Sequence, residues 1–531
     1  MIRHGDKTSS GDGREQQTRP GAVALGELPN AGVEGSPAPD RPGVKRLGAI
    51  PAPLIALLAV VTLFGVSWAL VNPPWQAPDE DVHFSYVQTL GEQHRLPGGP
   101  RASLSSAQVD AMRAINNDPI VFFVFAKPEW SKRAYKQWTV RTRDLPLNDG
   151  GGNSTASGYP PAYYLSLTPA YALAGSSDVV THLYAARLLS VVWLLVTTVA
   201  AWLLIGELFG RRRELQLVGS AAVGLWPMLD FLSAAVNPDS MLYATWGLTM
   251  WLGTRIIRRG LDVPQAAGFG VCVGLALLVK ATSIALVPAA AFVVALGVVR
   301  LLRRRELRHA VVTGAVAVGV FVLLVGAWKL EVASQGRPAY GQAAAVTSGV
   351  RNLREFASYV WEYYLPQLPF EGHVRFSNPT ISDYPAYSVW IATGWAVFGW
   401  ATVYFPKSVY LAFLAITVLI GLAAAAAGLR ALRRNWRSPR LRLTALPVAV
   451  FYALATGALV GGLHWAEYQA HTPLNQGRYL FPLAGLAGAT VVAALTQVPD
   501  RLRMRAVGAV LGLLLVWQLF SLGLMASRYY A

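Results

Sequence analysis

The sequence predicts an all-α polytopic membrane protein of about eleven transmembrane helices with two large extracytoplasmic loops, and three observations carry that prediction. Apolar residues make up 53% of the chain and charged ones only 14%, with a mean hydropathy of +0.37, more than a water-facing surface of this size tolerates. Apolar runs long enough to cross a bilayer recur along most of the length. The formal charge of +17 sits in short arginine clusters between those runs, where membrane orientation places them. That distribution argues against nucleic acid as a partner, which would call for a basic face or stripe.

Residues 1–47, rich in Gly, Pro, Ser and charge and without apolar period, read as a disordered cytoplasmic tail. The first run, Leu47 to Val71, follows Lys45 and Arg46 and is too long for the apolar part of a cleaved signal peptide, so it reads as an uncleaved first span. Further runs lie near 180–207, 215–236, 240–257, 264–300, 309–330, 407–429, 443–463, 478–496 and 506–527. The run 264–300 is too long for one span and divides at Lys280, the tip of a helical hairpin. With these spans, Arg211–Arg213, Arg255–Arg259, Arg300–Arg308, Arg430–Arg440 and Arg501–Arg505 all fall on one side, which the positive-inside rule makes cytoplasmic. The expected organisation is a module over 48–330 carrying the outer loop 72–179, an outer loop over 331–406, and a second module over 407–531 in the cytoplasmic membrane. The N-terminus is then cytoplasmic and the C-terminus extracytoplasmic. Pro385 to Phe405 is apolar and aromatic, yet counting it as a span would move the Arg430–Arg440 cluster outside; it reads as interfacial or re-entrant, with Trp390, Trp395 and Trp400 at the headgroup boundary and their N–H groups wet. The single cysteine, Cys272, excludes an internal disulfide.

The densest chemical signal follows the first span: Asp79-Glu80-Asp81-Val-His83 after Pro78, three carboxylates and an imidazole at the membrane surface. Acidic residues in a first helical turn are favoured by the helix dipole, so a charged cap is the plain explanation. The functional one makes a carboxylate a general base or metal ligand, with Asp79 and His83 four residues apart on one helical face. Other polar residues gather at outer span ends: Arg187, Asn237, Asp239, Lys280 and Arg478. Each alone is explained by snorkelling or by turn chemistry; together they fit one cleft with a phosphate as the natural partner of Lys280. Gly158-Tyr159-Pro-Pro-Ala-Tyr163-Tyr and Tyr363-Tyr-Leu-Pro-Gln-Leu-Pro offer stacking surfaces for an acceptor, or interface anchors. His373, His464 and His471 lack metal-ligand spacing.

In order, Pro78-Asp79-Glu80 with His83, Tyr159-Pro-Pro-Ala-Tyr-Tyr, Ala186-Arg187-Leu-Leu-Ser, Asn237-Pro-Asp239, Lys280-Ala-Thr, Gly394-Trp-Ala-Val-Phe-Gly-Trp400 and Gly477-Arg478-Tyr resemble a bacterial membrane-protein family, domain of unknown function 2142, over about residues 48–527. That family is similar in architecture to the GT-C glycosyltransferases, and Ala396 stands where its pattern carries glycine. The resemblance implies a GT-C-like fold and an inverting transfer of a sugar, hexosyl or pentosyl, from a polyprenyl-phosphate donor to a cell-envelope glycan, glycolipid or protein acceptor. It implies Asp79 or Glu80 as the catalytic carboxylate. Lys280 and Arg478, with Arg187, then neutralise the leaving phosphate, and His83, Asn237, Asp239, Tyr159 and Tyr163 support the site or acceptor. No cofactor is required by this reading, and a divalent cation (Mg or Mn) on Asp79, Glu80 and Asp239 stays open. The rival readings are a transporter or flippase of lipid-linked glycans and a non-catalytic envelope assembly protein. Ion-coupled carriers bury ionisable groups or broken helices near the membrane midplane, and the charges here gather at span ends, which favours the enzyme.

Overall fold

The computed structural model describes residues 50–531 apart from 124, 128–131, 143, 176–177, 337–351, 371–384, 440 and 472. The tail expected over 1–47 and His373 lie outside the described residues, and everything below concerns the unit Ile50–Ala531. Among the described residues, eight helices are long and apolar enough to cross a membrane, nine if one bent pair counts as a span. The count of eleven is therefore not reached. The two other expected segments are present as helices but fall short: Asp239–Arg259 carries Asp239, Arg255, Arg258 and Arg259, and Val263–Val279 has only 17 residues. The described residues are all-helical apart from one short hairpin, and the protein is polytopic.

The second span, Val179–Phe209, runs alongside the first, Ala52–Val71, and alongside Asp239–Arg259. The run 264–300 divides as its length demands: Val263–Val279, a 3-10 turn Ala281–Ala285, then Leu286–Arg303, with Lys280 between them. The bent pair, Arg213–Gly224 and Pro227–Ser233, turns by 60° where Leu225 and Trp226 leave helical geometry ahead of Pro227. Gly488 on Ala484–Leu495 crosses it so closely that a Cβ there would stand 2.4 Å from the Gly219 oxygen; only small residues permit such an approach between spans. At the arginine-rich ends, Arg259 grips Glu207 through two bonds of 2.9 and 2.8 Å.

The bent pair holds Asp230, fully buried, with one carboxylate oxygen bonded to the Gln518 amide, whose own oxygen accepts from the Trp68 indole at 2.9 Å. Trp68 stands three residues before the end of the first span, so this buried carboxylate also lies toward a span end.

The Pro385–Phe405 stretch is not one helix. Tyr387–Ala392 forms a π-helical turn, Thr393–Ala396 one α-turn, and Val397–Phe398 pairs antiparallel with Val403–Tyr404 in a small hairpin whose turn uses Gly399 at φ +60°. Ala396 ends the helical turn and is buried, so the glycine of the family pattern is not needed for its backbone. The expected wet indoles are a second correction. Trp390 donates to Tyr364 Oη at 3.1 Å, Trp395 to Thr417 Oγ1 at 3.0 Å and Trp400 to the Trp75 oxygen at 3.2 Å, so these rings brace the protein. Gly394 meets Gly477 so tightly that a Cβ on Gly477 would lie 2.3 Å from the Gly394 nitrogen.

Candidate functional site

The first span ends at Val71 and leaves C-terminal carbonyls that need donors. Arg187, fully buried at the start of the second span, supplies them: Nη1 donates to the oxygens of Ala69 (3.1 Å) and Asn72 (2.6 Å), and Nη2 to that of Pro73 (2.9 Å). Its Nε and Nη2 also grip both carboxylate oxygens of Glu80, equally buried. All five guanidinium hydrogens are spent. Glu80 Oε1 takes a further bond from the Val236 amide at 3.0 Å. The pair therefore clamps four segments together, and a buried, fully bonded ion pair of this kind costs about 3–5 kcal/mol to break from one side.

Tyr163 and Asn237 belong to the same frame. The buried Tyr163 hydroxyl accepts from the Asn237 amide (2.8 Å) and meets Ser190 (2.9 Å). Asn237 Oδ1 then accepts from the Asp239 amide at 2.9 Å, which fixes the first residue of the next helix. Glu80, Arg187, Tyr163 and Asn237 thus stand in the scaffold. Glu80 as catalytic carboxylate and Arg187 as phosphate ligand are corrected on this ground: Arg187 has no N–H left for a phosphate, and Glu80, fully buried, spends its charge on the arginine and accepts three bonds within the frame.

Asp79 points elsewhere. It adopts a left-handed backbone (φ 61°, ψ 11°), a conformation costly for a residue with a Cβ, at the start of Glu80–Gln93, and its side chain caps no amide. Glu80 and Asp81 do stand in the first helical turn, where the helix dipole favours them, so the plain reading accounts for those two and leaves Asp79 over. Its carboxylate is 44% exposed and meets Arg478 Nη2 at 3.3 Å. Asp239, buried, holds Lys280 Nζ at 2.6 Å. The rings of Tyr479 and Tyr159 flank the Lys280 ammonium at 5.0 and 5.9 Å, and the Arg478 guanidinium lies 5.2 Å from the Tyr479 ring. His83 joins them, its Nδ1 sharing a 2.8 Å hydrogen bond with the Tyr164 hydroxyl and its ring edge-on to Tyr159. Burial pushes the His83 pKa down to about 4, with Lys280 and Arg478 adding to the effect against the pull of Asp79 and Asp239, so the imidazole is neutral at pH 7. Burial also raises Asp81, the third carboxylate of the motif.

Among the described residues, three buried atoms of this cluster have no hydrogen-bond partner: Nε and Nη1 of Arg478 and Oδ2 of Asp239. An unpaired buried guanidinium edge is expensive unless something anionic meets it. A metal fits less well. Among the described residues no three carboxylate, histidine or cysteine side chains are grouped to hold one, and two of the three carboxylates considered are already occupied, Glu80 by Arg187 and Asp239 by Lys280.

The structure thus gathers Asp79, His83, Asp239, Lys280, Arg478 and Tyr159 from five separated stretches. Tyr164 and Tyr479 stand within two of the sequence motifs but carried no individual role there, and Glu467 was missed. Glu467 gave no sequence signal: it lies in a span, accepts from Tyr359 (2.8 Å) and from the amides of Leu474 (2.9 Å) and Asn475 (2.6 Å), and so pins the extended segment just before Arg478. Tyr363 and Tyr364 pack around His464 in an aromatic cluster.

Comparison with known proteins gives a family and a distant shape. Residues 62–487 match the model of the family described as predicted membrane protein, DUF2142. No curated protein matches. Among solved structures, a crystal structure of ArnT from Cupriavidus metallidurans bound to undecaprenyl phosphate is similar at 16% identity and a TM-score of 0.37, over 84% of this chain. The chain spans 61% of that protein's length.

Proposed function

The chain belongs to the DUF2142 family of predicted membrane proteins, and we propose that it is a membrane glycosyltransferase moving a sugar from a polyprenyl-phosphate donor to an envelope acceptor. In this reading the acceptor hydroxyl attacks the anomeric carbon from the face opposite the phosphate. The new C–O bond forms as the sugar–phosphate C–O bond breaks, with inversion, and the proton passes to Asp79. The lipid phosphate leaves with one more negative charge than it had as a diester, and Lys280 and Arg478 stabilise that gain. Asp239 holds Lys280 in place and His83, neutral, lines the acceptor side with Tyr159. The site lies at the end of the bundle opposite the arginine clusters, which in this reading is the extracytoplasmic face of the cytoplasmic membrane.

The observation that carries the proposal is the pairing of a half-exposed carboxylate in a strained turn with a buried arginine whose two free donors await an anion. Its test is the glycan and glycolipid composition of the native host carrying wild type or Asp79→Asn at matched membrane abundance. Loss of one glycosyl linkage supports transfer; unchanged glycans overturn it. A second reading, movement of lipid-linked glycans, draws support from the buried Asp230 in the bent helix pair. Accumulation of an intact lipid-linked glycan on the cytoplasmic face in Asp230→Asn cells would favour it over transfer.

A further inference from the structure

We infer that two neighbouring pieces of the first loop form an in-plane anchor that binds the anionic lipid surface of the leaflet beside the site. The first piece is the short helix Asn117–Phe122 with Phe123 and Phe125; the second is the helix Lys132–Arg141. Phe122, Phe123 and Phe125 are 76, 51 and 82% exposed, three large apolar side chains within four residues. Isolated exposed phenylalanines are ordinary, but a cluster of three is not, and in water it would be costly.

The position of both pieces supplies the solvent. Arg528, in the last turn of the span Asp500–Tyr530, donates to the oxygens of Ala126 (2.5 Å), Phe123 (3.2 Å) and Ile120 (3.5 Å). Tyr135 donates to Asp178 at 3.1 Å, and Asp178 is the residue that caps the start of the second span. The loop is thus tied at two points to the level where spans leave the bilayer, so its phenylalanines lie at the acyl boundary. The helix Lys132–Arg141 is fastened inward by Trp138, buried and donating to Asp110 at 3.0 Å. That leaves Lys132, Arg133 and Lys136 exposed on a helix without a single acidic residue. Aromatic side chains inserted into the interface beside a basic helical face are the two halves of anionic-membrane binding, each basic residue contributing roughly fivefold in affinity.

The test uses full-length protein in lipid nanodiscs. With Cys272→Ser as background, Phe125→Cys carries a bimane label, read by quenching with lipid-attached nitroxides and with aqueous iodide. Strong quenching by the lipid nitroxide and weak quenching by iodide is the expected result. Dominant iodide quenching overturns the anchor, and quenching by neither overturns it in favour of a protein partner such as a second copy. The second arm measures anionic lipid retained from a mixed neutral and anionic nanodisc by native mass spectrometry. The triple substitution Lys132→Gln, Arg133→Gln, Lys136→Gln is expected to lower that retention roughly tenfold or more. Unchanged retention overturns the anionic partner while leaving the glycosyl-transfer reading untouched.

Discussion

At the scale of single residues, two adjacent carboxylates do opposite things. Asp79 and Glu80 are indistinguishable as members of an acidic motif, yet the left-handed turn at Asp79 sends one to the cleft and the other into the Arg187 clamp. Asp79→Asn should therefore abolish transfer by about 10²-fold or more with normal membrane abundance, since the protein keeps its frame while the base is lost. Glu80→Gln should instead lower abundance and melting temperature, because a buried guanidinium is left without its counter-charge; thermal unfolding in detergent separates the two. Lys280→Ala and Arg478→Ala should each weaken binding of a polyprenyl phosphate, and unchanged affinity would remove that cation from the site. His83 gives the pH dependence. Its pKa falls from 6.5 unfolded to about 4 folded, so only the unfolded chain takes up the proton between those values and stability drops as pH falls through that window, by roughly 3 kcal/mol at most. Replacing His83 by Gln should flatten that part of the stability curve. The cluster of Asp79, Lys280, Asp239 and Arg478 was legible from residue type and common side; the diversion of Glu80 and Arg187 was not, because it depends on which carbonyls the first span leaves unpaired.

Among the elements, the spans were legible because a bilayer imposes length and apolarity on each in turn, and the division at Lys280 followed from the length of the run, the arginines at both its ends and the polar residues at its middle. What escaped were three features held by tertiary contact: the 60° break before Pro227, the Asp230–Gln518–Trp68 chain, and the helical turns plus hairpin of 385–405, whose apolar run has no single period. Gln518→Leu should destabilise the protein by about 1–3 kcal/mol in detergent, since it strips both Asp230 and Trp68 of their partner. Gly477→Ala tests the other crossing. The added Cβ collides with backbone, so the segment must shift, and Arg478 next to it should lose lipid-phosphate affinity even where the protein still accumulates.

For the whole molecule, charge is sorted by end: arginine clusters at one, the polar cleft at the other, with Glu207 and Arg259 pairing far from the site. That sorting made the sidedness readable before any contact was known. The clamp has a further consequence in the order of synthesis. Glu80 and Arg187 are 107 residues apart and can meet as soon as the second span is made, whereas Asp79 and Arg478 are separated by 399. At about 5–20 residues per second, roughly 15–60 seconds pass after Arg187 leaves the ribosome before Arg478 does. During that interval the nascent chain already holds its Glu80–Arg187 pair, and Val236, Asn237 and then Lys280 join in turn before Arg478 is translated. The newborn protein thus acquires its structural ion pair well before its anion grip is complete.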